Sequence, residues 1–300
     1  MSQIFSDSAR HRRIGIALVT ITTLMFAVLD ASAKWLVVSL PVLQVVWVRF
    51  FMHSVFSIVV FAPSVRGDLL RWRHPRLQLL RGLMLASMTG LNFWALQYLQ
   101  LAETGAMQFS VPIMIALFSA WWLGERLDAK RWLAIFSGFV GVLIIIRPGS
   151  QSFHPAILLT ALNAFIYALF NMMTRYLVRT EHPATTQLTS AVVATLVLTP
   201  FALLQWKMPA TQLEWVIMAL AGLSGGIGHY FVALAHRYAS AAVLGPFLYQ
   251  QIIYMTVLGW LVFGQVPDPS VVLGATVVVC SGLYLLWREF QRPDPPSASA

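Results

Sequence analysis

The stretch IGIALVTITTLMFAVLDASAKWLVV, residues 14–38, carries only two charges, Asp30 and Lys34, both near its end. A helix needs about 20 apolar residues to cross a hydrocarbon core of about 30 Å. The run meets that length, and Arg10-His11-Arg12-Arg13 leads into it. It is too long for the core of a cleavable signal, so it reads as an uncleaved first membrane helix. Nine further runs follow: 41–62, 80–98, 104–123, 131–147, 155–178, 185–206, 214–236, 241–263 and 269–287. Pro, Gly or charge breaks them, as at Leu40-Pro41, Arg147-Pro148-Gly149 and Pro267-Asp268-Pro269.

Composition agrees. Hydrophobic residues make up 58% and charged residues 10% of the 300 residues, where soluble domains hold about 45–50% and about 25%. A mean hydropathy of +0.73 leaves too little polar surface for a water-soluble globule. The net charge of +9 comes in short clusters between apolar runs, which suits bilayer topology rather than nucleic-acid binding. With Cys280 as the single cysteine, no intrachain disulfide can form.

The same charges orient the spans. Cytoplasmic termini put 16 of the 20 Lys and Arg on the inside, Arg81 among them, and only Arg147 and Lys207 outside, with Lys34 and Arg49 inside spans. The halves also match. Phe26-Ala27 and Asp30-x-x-x-Lys34-Trp35-Leu36-Val37 align with Tyr167-Ala168 and Asn171-x-x-x-Arg175-Tyr176-Leu177-Val178. Leu85–Gly90 aligns with Leu220–Gly225, and Gly124-Glu125-x-x-Asp128 with Gly264-Gln265-x-x-Asp268. Each half holds five helices, an odd number, so the second copy runs upside down, the arrangement of alternating-access carriers. The expected fold is therefore an all-α membrane protein of ten transmembrane helices in two inverted five-helix repeats. Its parts are a cytoplasmic tail (1–13), a first repeat (14–147), a linker (148–154), an inverted second repeat (155–287) and a cytoplasmic tail (288–300).

On these features the chain resembles the drug/metabolite transporter superfamily, and within it the ten-helix EamA-type exporters, bacterial amino-acid exporters included. Lys34, Arg175 and Gly124-Glu125-Arg126-Leu127, which is similar to the family's turn after its fourth helix, carry the resemblance together with the five-plus-five plan. Gln265 in place of an acid, and Pro246 displaced from where Pro112 would predict it, depart from it. The resemblance implies an inner-membrane exporter of amino acids and related small metabolites, with no cofactor and no nucleic-acid partner. A carrier of cationic drugs or nucleotide sugars is the alternative within the superfamily, and a membrane enzyme or scaffold the alternative outside it. A monomer is compatible with the sequence.

Polar groups at membrane depth face other helices or a cavity. Substrate contacts are expected from Asn92 and Trp94 on the third helix, Tyr167 on the sixth, His229 on the eighth, and Tyr249, Gln250 and Gln251 on the ninth. Amide and phenol groups both donate and accept, which suits polar metabolites, while helix–helix hydrogen bonding is the competing role. Asp30 and Lys34, four residues apart, can pair as a structural ion pair. Asp30 is also the one carboxylate well inside a span, hence the candidate for proton coupling. Lys34, Arg49 and Arg175 lie toward helix ends, which argues against a phosphate-bearing cargo.

Enzymatic readings fail on their context. Gly222-Leu223-Ser224-Gly225-Gly226 fits G-x-S-x-G, but that motif needs a strand–turn–helix elbow that an apolar helix does not offer. His229 and His236 share a helix face without further ligands, so no metal site is expected.

Overall fold

Helix boundaries follow from local chemistry. The structure is a computed structural model that describes residues 9–65, 72–122, 128–148, 150, 153–177, 180–239 and 241–290. It contains α1 (Ala9–Leu36), α2 (Val42–Val65), α3 (Pro75–Leu96), α4 (Leu101–Gln108), α5 (Val111–Trp122) and α6 (Ala129–Ile146). The second half holds α7 (Ile157–Leu177), α8 (Pro183–Leu204), α9 (Gln212–Ala235), α10 (Ala241–Leu248), α11 (Gln250–Phe263) and α12 (Pro269–Phe290). No strand occurs among the described residues. The turn Gly124–Leu127, the tail beyond Phe290 and the side chain of Arg175 lie outside the described residues.

Ten of these segments are long and apolar enough to span a membrane, α4 with α5 and α10 with α11 each forming one span. Pro112 has no N–H for the carbonyl of Gln108, and the chain instead closes a tight turn from Ser110 N to Met107 O at 3.1 Å. Pro246 similarly precedes the joint at Tyr249.

Caps set the helix starts. Pro75 takes the first position of α3, where a missing N–H costs nothing. The Glu181 carboxylate accepts the N–H groups of Arg73 and His74, both at 2.8 Å. This start lies several residues before the expected 80, so Arg76 belongs to the helix together with Arg81. Thr211 and Glu214 form a capping box on α9.

Helices pack in reciprocal pairs: α1 lies on α9 as α3 lies on α7, while α2 meets α8 and α6 meets α12. Small residues permit the closest approaches. On α9, a Cβ added at Gly222 would lie 2.3 Å from Met52 Cβ, and one at Gly226 would lie 2.8 Å from Phe56. Met52 and Phe56 are four residues apart on α2, so one face of α2 fits into the glycine stripe of α9. Between α6 and α12, a Cβ at Gly274 would lie 2.7 Å from the Gly141 carbonyl oxygen.

Both ends of the α6–α12 pair carry a charge clamp. Asp128 caps α6 by accepting from Arg131 N at 2.8 Å, and also receives Arg288 from the far end of α12. Asp268, before α12, accepts from Ser270 and pairs with Arg147, the left-handed C-cap of α6, at 2.9 Å. Each carboxylate thus sits at a helix N-terminus and each guanidinium at a C-terminus, as the helix dipoles favour.

Candidate functional site

The interior holds more charge than the sequence analysis anticipated. Arg49 on α2 and Arg81 on α3 are buried, at 4% and 9% exposure. Contrary to the expectation from helix position, cations do reach the interior. The cause is the packing of α3 against α7 and α8 and of α2 against α9, which hydropathy does not report.

Lys34 and Asp30 do not pair with each other. The Lys34 ammonium donates to the carbonyls of Leu96 at 2.9 Å and Leu99 at 2.6 Å, so it closes the C-terminal end of α3. Asp30 instead accepts from Asn92 Nδ2 at 3.0 Å, and Asn92 Oδ1 faces Gln108 Nε2 at 3.5 Å. The charge of Arg49 acts on Asp30 from α2, while Arg49 Nη1 donates to Thr89 at 3.3 Å. A polar relay from α4 through α3 and α1 to α2 results.

One turn along α2 from Arg49 stands His53, 1% exposed. Its ring stacks on His229 of α9, with centroids 5.2 Å apart and planes 6° apart. Phe26 of α1 meets His229 edge-on at 5.0 Å. The Gln187 side-chain amide of α8 lies 3.1 Å from His53 Nε2, within hydrogen-bonding distance. Four helices, two from each half, thus converge on one stacked pair.

A third cluster lies toward the other end of α3. Arg81 donates to Thr174 at 2.8 Å, to the Thr186 carbonyl at 3.0 Å and to Ser190, and lies over the Phe170 ring. Tyr167 is close enough to interact electrostatically with Arg81.

Of the expected contact residues, Asn92, Tyr167 and His229 take part in these clusters. Trp94 does not. It is 52% exposed, on the same stripe as Leu80 and Leu83, two positions round the helix from buried Asn92. Tyr249, Gln250 and Gln251 separate, because neighbours on a helix point about 100° apart. Tyr249 stacks on Phe109, with centroids 4.8 Å apart. Gln250 accepts from the Tyr254 hydroxyl at 3.2 Å, and Gln251 turns toward Met255.

Arg49, His53, Arg81 and Gln187 join the site without having been expected there from sequence. A usable signal existed for two of them: Arg49 and His53 are four residues apart in an apolar helix, which places them on one face. Among the described residues, no three His, Cys, Asp or Glu side chains converge as a metal site.

Comparison with known proteins fits this architecture. The sequence profile of the EamA-like transporter family matches residues 13–147 and again 154–288. A riboflavin transporter of Vibrio cholerae is 30% identical, over 95% of this chain and 97% of its own length. An S-adenosylmethionine uptake transporter of Rickettsia bellii is 24% identical, over 95% of this chain and 97% of its own length. A pseudopaline exporter of Pseudomonas aeruginosa is 26% identical, over 90% and 95%. A solved crystal structure superposes with a TM-score of 0.63 at 19% identity, covering 95% of this chain and 100% of the other. With the profile matched across both halves of a ten-span helical bundle, the chain belongs to the EamA-like transporter family and is a multi-pass membrane transporter.

Proposed function

We propose that this transporter moves a small polar metabolite bearing a planar ring across the bacterial inner membrane, by alternating access between two inverted halves with both termini cytoplasmic. The observation that carries this reading is the stack of buried His53 on half-buried His229, edged by Phe26 and hydrogen-bonded by Gln187, at the seam between the halves. Flat rings bind by stacking on aromatic faces, and amides set their polar edges. The riboflavin and S-adenosylmethionine carriers among the relatives support it, since both compounds join a planar nitrogen heterocycle to a polar tail. Two like halves whose packing partners interchange suit a rocking mechanism around a shared site.

Amino-acid export, the finer expectation from sequence, stays within this reading only for cargo with a ring. The buried Arg49 and Arg81 also reopen anionic cargo, which the sequence reading had disfavoured. The test is counterflow in proteoliposomes with labelled riboflavin, S-adenosylmethionine, tryptophan and alanine. Uptake of at least one ringed compound, with alanine excluded, is the expected result; flux of alanine alone, or none at all, ends the proposal.

A further inference from the structure

Three buried cations can be compared by how well their donors are satisfied. Lys34 has two carbonyl acceptors and Arg81 has three acceptors from α7 and α8. Most of their donors are used, the Nε of Arg81 among them; those of Arg49 are not. A guanidinium offers five N–H donors, yet among the described residues Arg49 makes one long bond, to Thr89 at 3.3 Å, and its buried Nε has no acceptor. The Phe50 ring lies 4.4 Å from it and supplies no oxygen.

Asp30 is the complementary case. It is 5% exposed and accepts from Asn92 through one oxygen. Among the described residues the ion pairs join Arg147 to Glu103 and Asp268, and Arg288 to Asp128, so Asp30 and Arg49 interact electrostatically without salt-bridge contact. Opposite charges buried side by side with unused hydrogen-bonding capacity are costly unless something completes them.

We infer that Arg49 and Asp30 form the anchor for a zwitterionic α-amino-acid head group, the cargo carboxylate on the Arg49 guanidinium and its ammonium on Asp30. Guanidinium–carboxylate and ammonium–carboxylate contacts are charge-assisted, and one molecule supplies both missing partners. The location fits. A Cβ at Gly225 of α9 would lie 3.4 Å from Arg49 Nε, so the guanidinium stands at the seam between the halves. His53 lies one turn farther along α2, so a head group held at Arg49 directs its ring toward the stacked histidines. This rests on the alternating-access reading above and narrows its cargo from any ringed metabolite to one with an amino-acid head.

The experiment is competition in proteoliposome counterflow with the wild-type protein. Tryptophan is compared with tryptamine, which lacks the carboxylate, and with indole-3-propionate, which lacks the ammonium; S-adenosylmethionine is compared with its decarboxylated form. Loss of either charge is expected to weaken competition by roughly tenfold or more, as for removal of a charge-assisted contact. Arg49→Gln should then bind tryptophan no better than tryptamine, a loss of discrimination that a purely structural role would not produce. Equal competition by the truncated compounds, or riboflavin flux that no zwitterion inhibits, overturns the inference and leaves the broader proposal standing. Flux of no compound overturns both.

Discussion

Phe109 and Tyr249 stack with ring centroids 4.8 Å apart, and each stands at the joint of a broken span, Phe109 between α4 and α5 and Tyr249 between α10 and α11. The breaks in the two halves therefore touch through one aromatic contact. On the other side, the Tyr249 hydroxyl lies where a Cβ at Gly282 would be 2.1 Å away, so the ring is held between α12 and the opposite joint.

If the joints bend together during transport, the stack couples them. Tyr249→Phe should keep transport near wild type, whereas Tyr249→Ala and Phe109→Ala should each slow counterflow several-fold. The double variant should be no worse than the poorer single one, giving a coupling of about 0.5–1.5 kcal/mol. Gly282→Ala should reproduce Tyr249→Ala by displacing the ring. Additive losses would show that the two joints act separately.

Lys34 and Asp30 have different partners, and a double-mutant cycle can read this. Lys34→Met leaves the Leu96 and Leu99 carbonyls without their donor and should destabilise the detergent-solubilised protein by about 1–3 kcal/mol. Its coupling to Asp30→Asn should stay below roughly 0.5 kcal/mol, the scatter of independent sites. A larger favourable coupling would restore the ion pair that the four-residue spacing suggested.

Glycine substitutions separate close packing from free space. Gly222→Ala forces a methyl group against Met52 and should cost about 1–3 kcal/mol, as overpacked cores do. Gly90→Ala meets nothing within 4 Å and should be neutral or slightly stabilising through better helix propensity. Thermal melts of the two variants in one detergent test the contrast; equal losses would mean that α2 and α9 are not in this contact.

The clamp on α6 and α12 predicts an acid limb in stability. Asp128 is held below the ordinary carboxylate range by the Arg131 N–H, with Arg288 adding its charge and a hydrogen bond. Asp268 is held there by the Ser270 hydroxyl and N–H, then by Arg147. A carboxyl group depressed in the folded protein stabilises it above its unfolded pKa, and that contribution disappears as pH falls through the lower folded value. Melting temperature should therefore hold from neutral pH to the ordinary carboxylate range and drop below it. Asp128→Asn with Asp268→Asn should start lower at neutral pH and lose this part of the drop; an unchanged acid limb would assign it to other groups.

Much of this architecture was readable from the chain alone, and for a definite reason. Whether a segment can span lipid depends on its own length and apolarity, so the number and order of the ten spans were set by local composition. The matched Asp128 and Asp268 were visible as a repeated pattern, and Asn92 and His229 stood out as polar groups in apolar helices. Their partners were not visible. A hydrogen bond or stack joins residues far apart in sequence, as Asn92 joins Asp30 or His229 joins His53, and no local pattern states which helix faces which. Tertiary packing alone decided that Lys34 closes α3, that Trp94 turns outward, that Arg81 spends three donors on α7 and α8, and that Arg49 is buried with more donors to spare. Each outcome follows from which neighbours can supply an oxygen at the right distance.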